Sequence, residues 1–424
     1  MSALDILRSI GVHGGDSLEM LRAMPADSVA SCVCDPPYEL GFMSKSWDST
    51  GIAFDPATWA EVLRVLKPGA HLVAFGSSRT VHRIAVAIED AGFQIRDTLH
   101  WCYWSGFPKS LDVSKAIDRL HGAEREVVGS QRLTGTARQS RSHAGHGAAA
   151  TGAADPRDYV ETVISITAPA TDDARRWQGF GTAVKPAVEP AILARKPLSE
   201  SSIARNVLRW GTGALNVDGC RFRPGDPMWP GPQDGAPTLN GRSGEGHREW
   251  FDTSPQVAGP GNPGGRFPAN LLYCPKASRA ERELGCEGLP ARKGHEAVER
   301  TEGSAGLDNP RAGAGRTADA VRNFHPCVKP VRLLRWSVRL VTPPGGTVLD
   351  PFAGSGSCGV AATLEGFGYI GAELEPDYVQ IARSRLAHAR AYPTSWAHTA
   401  PGFVGDASDE IERAIKAGQL GMFS

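Results

Sequence analysis

The chain has 424 residues, with 46 lysines and arginines against 46 aspartates and glutamates, so its formal net charge is zero. That length holds one large α/β core plus a second region, and 41% hydrophobic with 22% charged residues is ordinary for a soluble fold. No apolar run approaches the roughly 18 residues of a membrane span, and neutrality excludes a globally basic nucleic-acid binder, though not one with a local basic surface.

Met1-Ser2-Ala3-Leu4-Asp5 lacks a basic stretch followed by an apolar one, so no secretory signal and a cytoplasmic location are expected. Eight cysteines are present and none forms a C-x-x-C pair. They read as free, mostly buried thiols, which points away from a metal centre or a disulfide framework.

Residues 11–107 alternate apolar runs with helical patterns, the mark of a parallel sheet wrapped by helices. The apolar run Val29–Cys34 ends in Asp35-Pro36-Pro37-Tyr38. Two prolines fix φ and carry no N–H, so a carboxylate, free carbonyl acceptors and an aromatic face gather at one strand end. Such a group can hold a planar base by its exocyclic amine: Asp35 and the Pro36 carbonyl accept the two N–H groups while Tyr38 stacks on the ring. Phe42 and Trp47, just downstream, are candidate walls of that pocket. Beyond them the spacing predicts a helix over Ala57–Leu66, stopped by Lys67-Pro68-Gly69, then a strand at Ala70–Phe75. A helix over Val81–Ala91 and one or two strands over Phe93–Tyr103 follow.

From 122 to 180, Gly, Ala, Ser, Thr and Arg dominate, and a long excursion with a disordered middle is expected. Pattern returns at Ala187–Ala194. Residues 198–320 are Gly- and Pro-rich, with one ordered island at Phe267–Tyr273. Val331–Val341 is an amphipathic helix ended by Pro343-Pro344-Gly345-Gly346. A helix over Pro376–Ala391 and a short tail helix at 408–418 complete the chain.

Between the last two long helices lies a second chemical motif, Asp350-Pro351-Phe352-Ala353-Gly354-Ser355-Gly356-Ser357, a strand running into a Gly turn and an Ala-rich helix. Glycines permit close backbone approach, and the helix start offers unpaired N–H groups. A second strand, Gly368–Ala372, ends in Glu373, at the spacing where a carboxylate takes ribose hydroxyls. A nicotinamide dinucleotide competes for this pattern. The turn is not G-x-G-x-x-G, however, and Asp350 would repel a pyrophosphate. A cationic, phosphate-free cofactor such as S-adenosylmethionine fits better.

Asp35-Pro36-Pro37-Tyr38, His325-Pro326-Cys327-Val328-Lys329-Pro330, the Asp350–Ser357 turn and Gly371–Leu386 together resemble the permuted, β-group DNA amino-methyltransferases, in which the catalytic half precedes the cofactor half. Segments at 181–186, 189–190, 194–197 and 213–216 are similar to those of phage- and prophage-borne members. The resemblance implies an α/β, Rossmann-like methyltransferase with a seven-stranded, mostly parallel sheet in permuted order and irregular target-recognition insertions. It implies a catalytic half at 1–107, an insertion at 108–180, a core strand at 181–197, a target-recognition region at 198–321, a cofactor half at 322–393 and a tail at 394–424. The implied catalytic residues are Asp35, Pro36, Pro37 and Tyr38. On the cofactor side, Glu373 would take the ribose, Asp350 the methionine amino end, and Phe352 would pack near the sulfonium. Pro351, Ala353, Gly354 and Gly356 shape the turn, Lys329 with His325 flanks the methionine carboxylate, and Asp16 lies near the adenosine.

The implied activity is methylation of the exocyclic N6 of adenine in a base flipped out of double-stranded DNA. No metal and no membrane are implied, while a homodimer and a cognate restriction endonuclease stand as further partners. Cytosine-N4 methylation is the nearest alternative, although Asp first in the tetrad favours adenine. Methylation of RNA or of a protein amide is a third reading, and a non-catalytic DNA-binding or specificity subunit a fourth.

Overall fold

The computed structural model describes residues 11–41, 46–103, 105, 110–136, 159–222, 226–228, 265–292 and 320–400. The chain divides into two compact units. The first comprises Met1–Cys102, Glu189–Pro290 and His325–Ser424, and the second Tyr103–Val188 and Ala291–Phe324.

The first unit is built on an eight-stranded sheet. In chain order it begins with β1 (Gly11–Gly14), α1 (Ser17–Ala23) and β2 (Val29–Cys34). Next come α2 (Pro56–Val65), β3 (Leu66–Phe75), α3 (Val81–Asp90) and β4 (Gln94–Cys102). β2 is buried at every position, as a strand covered on both faces must be. Asp55 caps α2 by accepting from Ala57 N–H, and Trp59, Val62 and Val65 form its buried stripe.

The second unit holds α4 (Val113–Leu120), the antiparallel pair β5 (Val127–Thr136) and β6 (Tyr159–Thr167), and the short α5 (Asp172–Arg176). Asp118 ties it together, accepting from Arg125 Nη1 at 2.6 Å, Thr171 Oγ1 at 2.8 Å and the backbone N–H groups of Ala170 and Thr171.

The chain then returns through β7 (Val188–Arg195), α6 (Ile203–Trp210), β8 (Leu271–Tyr273) and α7 (Arg279–Glu283). The last elements are α8 (Val331–Val341), β9 (Thr347–Asp350), α9 (Ser357–Leu364), β10 (Gly368–Glu373) and α10 (Pro376–Ala391).

The sheet order is β1-β10-β9-β2-β3-β7-β4-β8. β1, β10, β9, β2 and β3 are mutually parallel, and β7 runs antiparallel to β3. This is the mostly parallel α/β sheet expected from the sequence, with one correction. The expected seven strands become eight, because Leu271–Tyr273 of the ordered island pairs in parallel with His100–Cys102. β4 and β7 are sheet neighbours.

Strand order reverses between β9 and β2: the chain moves from β9 to β10 on one side and from β2 to β3 on the other. In open parallel sheets that switch point leaves a crevice at the strand carboxyl ends, where ligands bind. Both sequence motifs end there. Cys32 is in register with Leu349, so the residues following β2 and β9 emerge side by side.

One further expectation changes. β3 begins at Leu66 rather than after Gly69, with a register shift between Val29 and Ser31 where Gly69 takes a φ of +80° and Asn206 and Thr212 donate to the Pro68 carbonyl. Within Phe93–Tyr103, expected to hold one or two strands, there is one, Gln94–Cys102. The tail is partly packed: Trp396 is fully buried, and Arg335 Nη1 donates to Thr399 Oγ1 at 3.2 Å. Phe42, the 137–158 stretch and the 408–418 helix lie outside the described residues.

Candidate active site

The tetrad Asp35–Tyr38 leaves the end of β2 and is held from three sides. Asp48, itself buried, accepts from the backbone N–H groups of Tyr38 at 2.8 Å and Glu39 at 3.0 Å through Oδ1, and from Leu40 at 3.2 Å through Oδ2. Thr80 Oγ1 donates to the Tyr38 carbonyl at 2.9 Å. Glu39, with φ at +54°, accepts from Gly51 N–H. The Tyr38 backbone is thus fixed at both its N–H and its carbonyl, which presets the ring without help from a ligand.

Asp35 and Tyr38 meet Lys329, two residues before α8. Its Nζ lies 2.6 Å from Asp35 Oδ2, 2.9 Å from the Tyr38 hydroxyl and 3.3 Å from Glu189 Oε2 on β7. The Tyr38 hydroxyl in turn donates to Glu189 Oε2 at 3.1 Å. Lys329 is buried, with the rings of Tyr38, Phe75 and Trp101 between 5.1 and 5.7 Å from its ammonium. Burial alone would lower its pKa, but the carboxylates of Asp35 and Glu189 overcome that and raise it. Lys329 is therefore a cation at neutral pH. Burial raises the Asp35 carboxyl above its ordinary value, with Lys329 pulling the other way. Asp35 Oδ1 is buried and has no hydrogen-bond partner. A buried carboxylate oxygen left unpaired at a strand end is an acceptor awaiting a donor.

The cofactor turn follows β9. Asp350 is buried, with Oδ1 accepting from Phe352 N–H at 3.2 Å and Oδ2 from the Tyr369 hydroxyl at 3.1 Å, and burial pushes its pKa up to about 7. Phe352 packs near Trp59, their rings 6.4 Å apart. Gly354 and Gly356 have φ of +53° and +75°. A Cβ on Gly354 would lie 2.9 Å from His325 Nε2, and one on Gly356 would lie 2.9 Å from Ala382 Cα. Both conformation and space demand glycine there. Glu373, at the end of β10, accepts from Gly354 N–H at 2.8 Å and Glu375 N–H at 2.9 Å, and burial pushes it up to about 7.

Gly14 is in register with Glu373, and Gly15 N–H donates to its carbonyl, which brings Asp16 to the same edge. There Asp16 caps α1 through Glu19 N–H. His325 sits over the turn, stacked 6.5 Å from Trp47 and edge-on 4.5 Å from Tyr378. Burial lowers its pKa to about 3, so the imidazole is neutral. Beneath the turn, the fully buried Arg385 donates from Nη1 to the Ser355 carbonyl at 2.8 Å and to Ser357 Oγ at 2.9 Å.

The structure brings together Asp35, Pro36, Pro37 and Tyr38 on one side, and Asp350, Pro351, Phe352, Ala353, Gly354, Gly356, His325 and Glu373 on the other. Lys329 Nζ donates to Asp35 Oδ2 and the Tyr38 hydroxyl and forms an ion pair with Glu189, so in this structure it lies on the tetrad side of the crevice. Sequence reasoning missed Glu189, Asp48 and Arg385. The only trace of Glu189 was its position in the Glu189-Pro190 pair at a strand start.

The turn suits the cofactor that its sequence implies. Its acidic side chains are Asp350 and Glu373, with Asp16 nearby, beside the hydroxyls of Ser355 and Ser357. Such a lining accepts a cation and ribose hydroxyls and disfavours phosphate. Among the described residues no group of His, Cys, Asp or Glu could hold a metal ion, and no helix is long and apolar enough to cross a membrane.

Comparison with known proteins agrees with the position of both motifs. Residues 29–120 and 292–384 match the N6_N4_Mtase family, described as DNA methylase. Type II methyltransferase M.Cfr9I of Citrobacter freundii is 40% identical over 91 residues, covering 22% of this chain and 30% of the relative. Type II methyltransferase M2.DpnII of Streptococcus pneumoniae is 45% identical over 62 residues, 15% of this chain and 23% of the relative. The DNA adenine methyltransferase YhdJ of Escherichia coli (strain K12) is 40% identical over 68 residues, 16% and 23% respectively. The match therefore spans between 23% and 30% of these relatives' own length. The solved PvuII DNA methyltransferase (cytosine-N4-specific) aligns over 88% of this chain and 85% of that one, at 15% identity and a TM-score of 0.42. At that level of likeness, the fold stands on the sheet order itself.

Proposed function

From a chain whose two motif-bearing segments both match the N6/N4 DNA methylase family, we propose an S-adenosylmethionine-dependent DNA methyltransferase that modifies the exocyclic N6 of adenine in a flipped-out base of duplex DNA. The carrying observation is the unpaired, buried Asp35 Oδ1 at the strand end beside the carboxylate-lined glycine turn.

The nitrogen of an exocyclic amine is a poor nucleophile because its lone pair is delocalised into the ring. Asp35 Oδ1 and the Pro36 carbonyl would accept its two N–H groups, favouring a pyramidal nitrogen whose lone pair points at the methyl donor. Tyr38, its backbone fixed by Asp48 and Thr80, would hold the base by stacking. S-adenosylmethionine supplies a methyl group already activated by its sulfonium. The protein's task is therefore alignment and charge stabilisation. Glu373 would hold the ribose hydroxyls, and Phe352 and the glycine turn would line the donor. The proton left on the methylated nitrogen passes to Asp35 or to water.

Adenine is favoured over cytosine by Asp at the head of the tetrad and by the match to a DNA adenine methyltransferase. The catalytic segment precedes the cofactor segment, the permuted order of the β-group, and supports a site-specific enzyme of restriction–modification or orphan type acting on double-stranded DNA. The intact tetrad and turn weigh against a non-catalytic subunit. The test is transfer of radiolabel from methyl-labelled S-adenosylmethionine to mixed-sequence duplex DNA. Incorporation is expected with the native chain and not with Asp35→Ala. No incorporation by the native chain overturns the proposal.

A further inference from the structure

We propose that Glu189 is a positioning residue of this site: its carboxylate locks the Lys329 ammonium and the Tyr38 hydroxyl into one cluster with Asp35, and gives that cluster a net negative charge where the methylated nitrogen becomes cationic. The proposal rests on the amine-methylation reading above and assigns work to a residue outside the tetrad and the turn.

The geometry is closed. An ammonium has three N–H donors, and Lys329 has three oxygen neighbours: Asp35 Oδ2, the Tyr38 hydroxyl and Glu189 Oε2. The Tyr38 hydroxyl accepts from Lys329 and donates to Glu189. That pins the end of the ring whose backbone Asp48 and Thr80 already hold. With Oδ2 clamped by Lys329, the Asp35 carboxylate cannot swing, and Oδ1 alone faces a substrate amine.

Charge gives Glu189 a second consequence. Asp35 and Lys329 alone form a neutral pair, which offers little to a developing ammonium. Glu189 adds one negative charge to the pocket. Burial would raise its pKa, but Lys329 and Lys276 hold it below the ordinary carboxylate value, so it stays ionised. Lys276, 3.3 Å from Glu189 Oε1 and half-exposed to screening water, offsets only part of that charge. During transfer, positive charge moves from the donor sulfur to the substrate nitrogen beside Asp35. A preorganised negative cluster stabilises that state more than the starting one.

The test uses the full chain with S-adenosylmethionine and duplex DNA, comparing Glu189→Gln, Glu189→Asp and the native protein. Glu189→Gln keeps the shape and removes the charge, and Glu189→Asp keeps the charge. For Glu189→Gln, kcat is expected to fall by about 10-fold or more with unchanged affinity for S-adenosylmethionine. The acid limb of its pH–rate profile should move to lower pH, because the Glu189 charge helps to raise Asp35. The groups facing Asp35 in that titration are Lys329, Glu189, Tyr38, the Cys327 thiol and, from β9, Asp350. Glu189→Asp should recover part of kcat and return the acid limb. Native kcat and an unmoved acid limb in Glu189→Gln overturn the proposal, as does equal loss in both variants. A native chain that methylates no DNA defeats the function reading itself, and the positioning role with it.

Discussion

Asp35 follows and Asp350 ends two neighbouring parallel strands, with Cys32 of one in register with Leu349 of the other. Two short motifs separated by most of the chain thereby share one crevice, with a free carboxylate oxygen on the first and a glycine turn on the second. Separation of roles follows. Asp35→Ala should lower methyl transfer by at least about 100-fold while leaving S-adenosylmethionine affinity close to native, as read by calorimetry. Unchanged turnover would remove Asp35 from its role.

Asp350 and Glu373 set an acid–base prediction. Burial pushes both up to about 7. A carboxyl whose folded pKa exceeds its unfolded one binds more protons when folded, so its stabilisation is present at low pH and is lost as pH rises through the folded value. The ligand-free protein should therefore lose melting temperature between about pH 4 and pH 7 from these groups. Asp350→Asn, which cannot ionise, should flatten that slope. An equally steep slope in the variant would show that the titration lies elsewhere.

Ionised Glu373 accepts more hydrogen bonds than its protonated form, so S-adenosylmethionine should bind more tightly as pH rises through about 7. Glu373→Gln should weaken binding by about 10-fold or more and remove this pH dependence. Calorimetric titration at pH 6 and pH 8 measures both effects, and a pH-dependent Kd retained in the variant would exclude Glu373 as the source.

The positions of the helices over Val331–Val341 and Pro376–Ala391, the strand bearing the tetrad and the glycine turn were legible from sequence, because each is a local pattern. Glu189, Asp48 and the contacts of Lys329 with Asp35 and Tyr38 were not. Lys329 meets Asp35 only after the sheet places β2 beside β9 and brings the segment before α8 over them, a fact with no local signature. The β5–β6 pair was missed for a different reason. Among its described side chains Val127, Val128 and Ile166 are exposed, so these give no buried alternation to read. The eighth strand is only three residues long, too short for a period.

Gly354 and Gly356 meet different neighbours, and their substitutions should differ accordingly. Gly356→Ala drives a Cβ into the α10 backbone at Ala382, which cannot yield, and should destabilise the fold by about 2–3 kcal/mol or more. Gly354→Ala meets the His325 ring instead, so adding His325→Ala should recover part of its loss. Thermal melts of the single variants and of the double variant decide this, and strictly additive losses would contradict it.

Asp48 supports the tetrad through three backbone N–H groups. Asp48→Ala leaves those donors unpaired and frees the Tyr38 backbone. Transfer should fall by about 10-fold or more with little change in S-adenosylmethionine affinity. Native kcat in this variant would show that Tyr38 holds its place without it.

The most direct measurement is the identity of the modified base. Mixed-sequence duplex DNA treated with the purified chain and S-adenosylmethionine is digested to nucleosides and resolved by mass spectrometry. N6-methyladenine is expected, absent with Asp35→Ala. N4-methylcytosine in its place would overturn the adenine assignment, and the absence of both bases would contradict amine methylation of DNA by this site.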